Sequence, residues 1–186
     1  LVAHAAVQLW LTRRQIRFVE AHAATVPAGF AAAISPADHA KAAAYTVAKQ
    51  RLGMIETVYE VMLALGLTVG GGIALVGAWS AQATDSPLLS GTLHVLGVFA
   101  AMAVLGLPFS VYRTFVQEQR FGFNRTRAAV FVTDLMKGWT LGLVLGAAAA
   151  AGVLWIMATA GAGWWVVGWV AWLSFSLLVT WAWPRL

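Results

Sequence analysis

The sequence contains no cysteine, so disulfides, thiolate nucleophiles and cysteine metal ligands are excluded, and the redox compartment stays open. Charge is scarce as well: 10% of the 186 residues are Asp, Glu, Lys or Arg, against about 25% in an average soluble domain. With 61% hydrophobic residues, too few polar groups remain to cover a water-soluble fold, and the chain reads as a membrane protein. Catalytic signatures are missing too. The four histidines begin the strings HAAVQ, HAATV, HAKAA and HVLGV, so no HExxH zinc motif is present. Neither a GxSxG nucleophile elbow nor a phosphate-binding glycine loop occurs. Catalysis by this chain alone therefore has no support. The net charge of +5 would suggest a nucleic-acid partner in a soluble protein. Here the basic residues flank apolar spans, where they set topology, and no nucleic-acid partner is expected.

What the chain does have is long uncharged runs, at residues 61–82, 86–112 and 138–184. A helix needs about 20 apolar residues to cross a hydrocarbon core of about 30 Å, so the last run, more than twice that length, holds two crossings. Residues 1–12 are apolar but too short to cross, and they lack the basic start of a signal peptide. They read as half of a first span, with Arg13, Arg14 and Arg17 marking its cytoplasmic exit. The chain begins with Leu and stops soon after a span, so both ends read as cut. The expected architecture is all-α and polytopic, with about five transmembrane helices, the first of them truncated.

Local chemistry places the helices. Ser35 can cap a helix that Pro36 begins, with the Asp38 carboxylate at its positive end. No proline occurs from Ala37 to Ser86, so this helix is expected to run unbroken into the second span and to end near Trp79. Gly66, Gly70, Gly71 and Gly72 lie within it, where they serve either close helix packing or a kink. Glu56 and Glu60 share a helix face; they are either a carboxylate pair for acid/base or metal chemistry or a solvated collar at the membrane entrance. His4 and His94 are each either a ligand or functional group or a histidine held by ordinary hydrogen bonding and water. Pro108 is expected to kink the inner end of the third span. Gly138, Gly142 and Gly146 form a smooth stripe on the fourth, residues 138–158, for another helix to approach. The fifth, residues 164–183, carries Trp164, Trp165, Trp181 and Trp183 at its ends as interfacial belts. Trp165, Trp169 and Trp172 share a face for packing or lipid contact.

Topology follows from the basic residues. If residues 13–56 are cytoplasmic and later loops alternate, Arg13, Arg14, Arg17, Lys41, Lys49 and Arg51 lie inside. So do Arg113, Arg120, Arg125, Arg127, Lys137 and Arg185, which accounts for all 12 Lys and Arg residues. The N-terminus is then outside and the C-terminus inside.

Between the third and fourth spans lies the most informative stretch, FVQEQRFGFNRT, residues 115–126. With LPFSVYRT ahead of it, and with RQIRFVEAHAATVPAGF (14–30) and ISPADHAKAAAYTVAKQRLGMIE (34–56) earlier, it resembles the N-terminal membrane region of the type I CAAX prenyl proteases, integral-membrane zinc metallopeptidases. The resemblance covers nearly the whole chain in order. That family commonly shows an acidic pair, a basic residue and FGFN here. Glu118 and Arg120-Phe121-Gly122-Phe123-Asn124-Arg125 match, and Gln119 stands where a second acidic residue is usual.

The resemblance implies that residues 1–186 are the N-terminal membrane domain of a larger helical barrel of seven spans. Its zinc site, an HExxH helix with a downstream glutamate, would follow residue 186 on the cytoplasmic side, so zinc is expected in the full-length protein and none on this chain. Trp183-Pro184 resembles the aromatic-proline pair that closes the fifth span. The chain would supply chamber wall and cytoplasmic rim for proteolysis of CAAX-type or other membrane-associated peptides, with the bilayer, the missing catalytic domain and a peptide substrate, prenylated or not, as partners. In a bacterial source the location would be the plasma membrane. Glu118, Arg120, Asn124 and Arg125 are the candidates for contacting substrate or the catalytic domain. Alternatively FGFN is a turn docking Phe121 and Phe123 at the bilayer edge, with Asn124 capping the next helix. The competing functions are a non-catalytic membrane scaffold and a small transporter, the latter weakened by the lack of intramembrane charge pairs.

Overall fold

The computed structural model describes residues 1–30 and 32–182. Trp183, Pro184 and Arg185, invoked above for the close of the fifth span and for the inside charge, lie outside the described residues. Among the described residues all regular structure is helical: α1 (Val2–His22), α2 (Pro36–Thr68), α3 (Gly72–Ala83), α4 (Pro87–Tyr112), a π-helical turn (Arg113–Glu118), a short α5 (Gln119–Phe121), α6 (Ala128–Thr159) and α7 (Trp164–Ala182). The chain forms two compact units. The first comprises Leu1–Gly72 and Met102–Arg127, the second Ile73–Ala101 and Ala128–Leu186.

Three stretches, Pro87–Phe121, Ala128–Thr159 and Gly161–Leu178, are long and apolar enough to cross a membrane, and α2 with α3 makes up to four. The expected truncated first span falls in α1, which carries Arg13, Arg14, Arg17 and Glu20 in its second half and is not among these stretches.

In the first unit α1 packs on α2, with Ala5, Ile16, Ala43 and Leu52 buried. The start of α2 forms as its local sequence dictates. Ser35 Oγ accepts from the Asp38 amide (3.1 Å), the hydroxyl donates to Asp38 Oδ2 (2.6 Å), and Pro36 sits in the first turn. His39 Nε2 donates to the His22 carbonyl (3.1 Å), and Arg51 pairs with Glu20 (2.9 Å), so the end of α1 is tied to α2 twice.

The expectation of one helix from Pro36 to Trp79 fails at residues 69–71. Val69 and Gly70 both donate to the Leu65 carbonyl (2.8 Å each), Gly71 has φ of 80°, and a Cβ on Gly70 would lie 2.6 Å from the Gly66 carbonyl oxygen. Proline is not required to stop a helix. Consecutive glycines have the greatest backbone entropy to lose and accept the left-handed conformation without a side-chain clash. Of the two roles open to these glycines, the interruption is the one seen.

The second unit corrects the glycine stripe. A Cβ on Gly146 would meet Leu96 at 3.2 Å, but Gly138 and Gly142 face open space. Close approaches occur elsewhere: a Cβ on Gly77 would meet the His94 ring at 3.0 Å, on Gly91 the Leu154 side chain at 2.9 Å, and on Gly97 the Val76 Cγ1 at 2.7 Å. Periodicity locates small residues but not which of them another helix covers. Trp165, Trp169 and Trp172 on α7 are exposed, as lipid contact requires. The fourth helix starts at Ala128 rather than at the expected residue 138, because Asp134 and Lys137 are accommodated inside it.

Candidate functional site

The segment between the third and fourth spans is mostly helix, where a surface loop was expected. Pro108 has no amide to offer the Val104 carbonyl four residues back. One residue along, the Leu105 carbonyl accepts from the Tyr59 hydroxyl (2.9 Å), and the Tyr59 ring lies on Phe109 at 4.9 Å. A neighbouring helix thus supplies a donor beside the gap, which is how membrane helices tolerate proline. One turn later Arg113 makes a two-pronged contact with Glu56, 2.6 and 2.7 Å to its two carboxylate oxygens. Glu56 is therefore neither half of a Glu56–Glu60 pair nor a free solvated collar. Its carboxylate is only 17% exposed and its charge is answered by Arg113.

Arg113 also opens the π turn. A π turn carries one residue more than the α spacing, and here it sets Gln117 inward, 6% exposed, with Oε1 lacking a hydrogen-bond partner among the described residues. An unanswered buried carboxamide costs about 1–3 kcal/mol. After α5, Gly122 takes φ of 76°, its amide donates to the Gln119 carbonyl (3.1 Å) and the Phe123 amide to the Glu118 carbonyl (2.9 Å). That is the Schellman closure of a helix, and its left-handed residue is why glycine stands in FGFN.

Phe121 and Phe123 flank this turn and both meet Tyr45 of α2 edge-on, at 5.3 and 4.9 Å between ring centres. Lys41 Nζ lies 5.4 Å from the Phe123 ring centre. The two phenylalanines thus dock on protein through Tyr45, although Phe123 remains half exposed. Asn124 does not cap α6. Its Oδ1 accepts from the Thr126 amide (2.7 Å), two residues short of the helix start, and its Nδ2 reaches Gln119 Oε1 (3.4 Å). This is an Asx turn, which shapes the loop itself.

Two cavities lie in this unit. The larger, about 1000 Å³, is lined by Glu20, Ala43, Val47, Arg51, Leu52, Pro108, Val116, Gln117 and Arg120 among others. The smaller, about 630 Å³, is lined by His4, Gln8, Glu56, Tyr59, Glu60, Ser110 and Arg113 among others. Of the four candidate residues, Arg120 faces the larger cavity and lies against the Phe121 ring (5.9 Å). Glu118 contributes its backbone carbonyl to the helix closure, Asn124 shapes the turn, and Arg125 is exposed. They do not converge on one point. His4 lies on the smaller cavity, and the His94 ring lies against Gly77. Gln117, Tyr45 and Tyr59 were not singled out from the sequence. Only the charged and aromatic density of residues 115–126 hinted at the first. Among the described residues no group of three His, Asp or Glu side chains is placed to hold a metal ion.

The sequence matches, over residues 15–186, the family described as CAAX prenyl protease N-terminal, five membrane helices. The chain belongs to that family. This CAAX prenyl protease N-terminal region is 38% identical over 73 residues to the CAAX prenyl protease 1 homolog of Arabidopsis thaliana, a match covering 37% of this chain and 17% of that protein. It is 29% identical over 87 residues to the probable CAAX prenyl protease 1 of Schizosaccharomyces pombe, covering 47% of this chain and 18% of that one. Its fold superposes on the crystal structure of S. mikatae Ste24p with a TM-score of 0.88 at 19% identity, over 98% of this chain and 44% of that chain. The chain thus spans less than half the length of the proteins it matches. Membership bears out both the resemblance drawn from residues 14–30, 34–56 and 107–126 and the all-helical, integral-membrane reading.

Proposed function

We propose that this chain builds the membrane wall and cytoplasmic rim of a zinc metalloendopeptidase whose catalytic domain follows residue 186, and that the whole protein cleaves CAAX-type or other membrane-associated peptides. The observation that carries this reading is the family match over residues 15–186, joined to a motif segment that is rigidly built. Residues 113–127 are anchored by Glu56–Arg113, closed at Gly122 and pinned by Tyr45, so they can hold a fixed edge toward another domain. The described residues do not fit a zinc site, having no group of three potential ligands, so zinc chemistry is assigned to the downstream domain and no step of it to this chain.

Within the segment, Arg125 is exposed and serves as a contact to the catalytic domain or to substrate, as does Glu118; Arg120 and Asn124 hold the rim in shape. The proposed topology has the N-terminus outside and this rim inside, in the plasma membrane of a bacterial source. Residues 1–186 hold no cysteine, so with any cysteine elsewhere in the protein replaced the topology is directly measurable. In the full-length protein a single cysteine at Asp85 should react with an impermeant maleimide from outside, and one at Thr126 only after permeabilisation.

The decisive experiment on function is proteolysis by the purified full-length protein. Turnover should stop with a zinc chelator and return with zinc, and chelator-insensitive turnover would sink the metal mechanism. Absence of an HExxH in the coding sequence beyond residue 186 would favour the non-catalytic scaffold instead. Arg120→Ala and Asn124→Ala should impair turnover while leaving membrane insertion intact; unchanged activity in both reduces the segment to a connector.

A further inference from the structure

The larger cavity combines three features that one ligand chemistry satisfies. Its walls are apolar, formed by Val47, Leu52, Pro108 and Val116. Arg120 lines it, with a ring contact but no carboxylate partner among the described residues. Gln117 lines it as well, a residue 6% exposed whose side-chain oxygen is unanswered among the described residues. The other arginine on the wall, Arg51, is already neutralised by Glu20. An apolar body, an anionic head and a nearby hydroxyl or amide donor are thus what the cavity lacks. The terminal amide of a glutamine turns about a soft torsion, so its oxygen can be presented to such a donor.

We propose that this cavity binds an anionic glycerophospholipid, its phosphate on Arg120, a headgroup or glycerol hydroxyl on Gln117, and an acyl chain along the α2–α4 walls. The apolar lining includes exposed side chains, Ile55 at 61% and Val116 at 48% exposure. An acyl chain at the cytoplasmic membrane surface can therefore enter along this exposed apolar edge, which favours a membrane lipid over a peptide arriving from water. Guanidinium binds phosphate by paired, charge-assisted hydrogen bonds, which gives selectivity for an anionic head over a zwitterionic one. The site needs only membrane embedding and does not depend on proteolysis.

The test is native mass spectrometry of the full-length protein released from detergent with equal phosphatidylglycerol and phosphatidylcholine. The expected result is retention of phosphatidylglycerol by roughly fivefold over phosphatidylcholine. Gln117→Leu and Arg120→Gln should each bring that ratio close to one, while Arg125→Gln, off the cavity, should keep it. Gln117→Leu should also melt no lower than the parent without added lipid, because it removes an unanswered buried amide. Equal retention of the two lipids overturns the proposal, as does loss of selectivity in Arg125→Gln, which would indicate general surface charge. Free glycerol 3-phosphate displacing the lipid would reduce the site to a phosphate site. A short apolar peptide with a free carboxylate displacing it, where added phosphatidylglycerol does not compete, would assign the cavity to peptide.

Discussion

The two units bury polar groups in different ways. In the second, Ser80 (1% exposed) and Thr92 (6%) donate to carbonyls of their own helices, Gly77 at 2.9 Å and Leu88 at 2.8 Å. A short hydroxyl reaches back one turn and is satisfied whatever surrounds the helix. In the first unit Thr57 does the same toward the Gly53 carbonyl at 2.9 Å, but long polar groups are drawn in too: Glu56, Gln117 and the half-exposed Arg113. These cannot reach back, so each depends on a partner brought by tertiary structure. Glu56 and Arg113 find one another, and Gln117 finds none within the described residues. The second unit is held by close packing around glycines. The first is held by pairings specific enough to fix a functional edge, and that makes it sensitive to single polar changes.

That contrast can be broken most severely at Glu56–Arg113. Removing one partner of a buried ion pair costs 3–5 kcal/mol; with Arg113 half exposed at 50%, about 2 kcal/mol is expected for Arg113→Ala. A double-mutant cycle with Glu56→Gln, followed by thermal unfolding, should show coupling of about 1 kcal/mol or more. Additive effects would mean that the pair is incidental. Next is the second unit's own weak point: Gly97→Ala places a methyl 2.7 Å from Val76 Cγ1, whose branched side chain cannot easily yield. A loss of about 1–2 kcal/mol is expected, and Val76→Ala in the same chain should restore most of it. Gly71→Ala forces a left-handed alanine at the helix break and should cost about 1 kcal/mol. The smallest effect is expected at Gly142→Ala, with nothing within 4 Å of the added carbon; a gain of about 0.5 kcal/mol follows from helix propensity alone. A loss there would show that Gly142 faces a partner helix after all.

Features resting on one or two turns of chain were legible from sequence. The Ser35-Pro36-Asp38 start formed as its chemistry required, the break between the fourth and fifth spans fell between Thr159 and Trp164, as the expected bounds of 158 and 164 require, and the family was readable from three short strings. The break at Gly70–Gly71 was within reach, but a missing proline was given more weight than consecutive glycines. The site was less legible. Glu56 pairs with Arg113 and Tyr45 with Phe121 and Phe123 across long separations, which no local pattern encodes. Gln117 looked like one more polar residue in a charged stretch; its burial depends on the π turn, which shifts every later side chain around the helix.

That turn sets a rule about chain length. Each helical residue advances the direction of a side chain by about 100°, so the extra residue held at Arg113–Glu118 fixes the direction in which Arg120, Phe121 and the Gly122 closure face. Deleting one residue there would let the helix relax to the ordinary spacing and carry the whole motif away from Tyr45 and from the cavity, with every motif residue still present. The segment is therefore expected to suffer more from a change in its number of residues than from a single substitution.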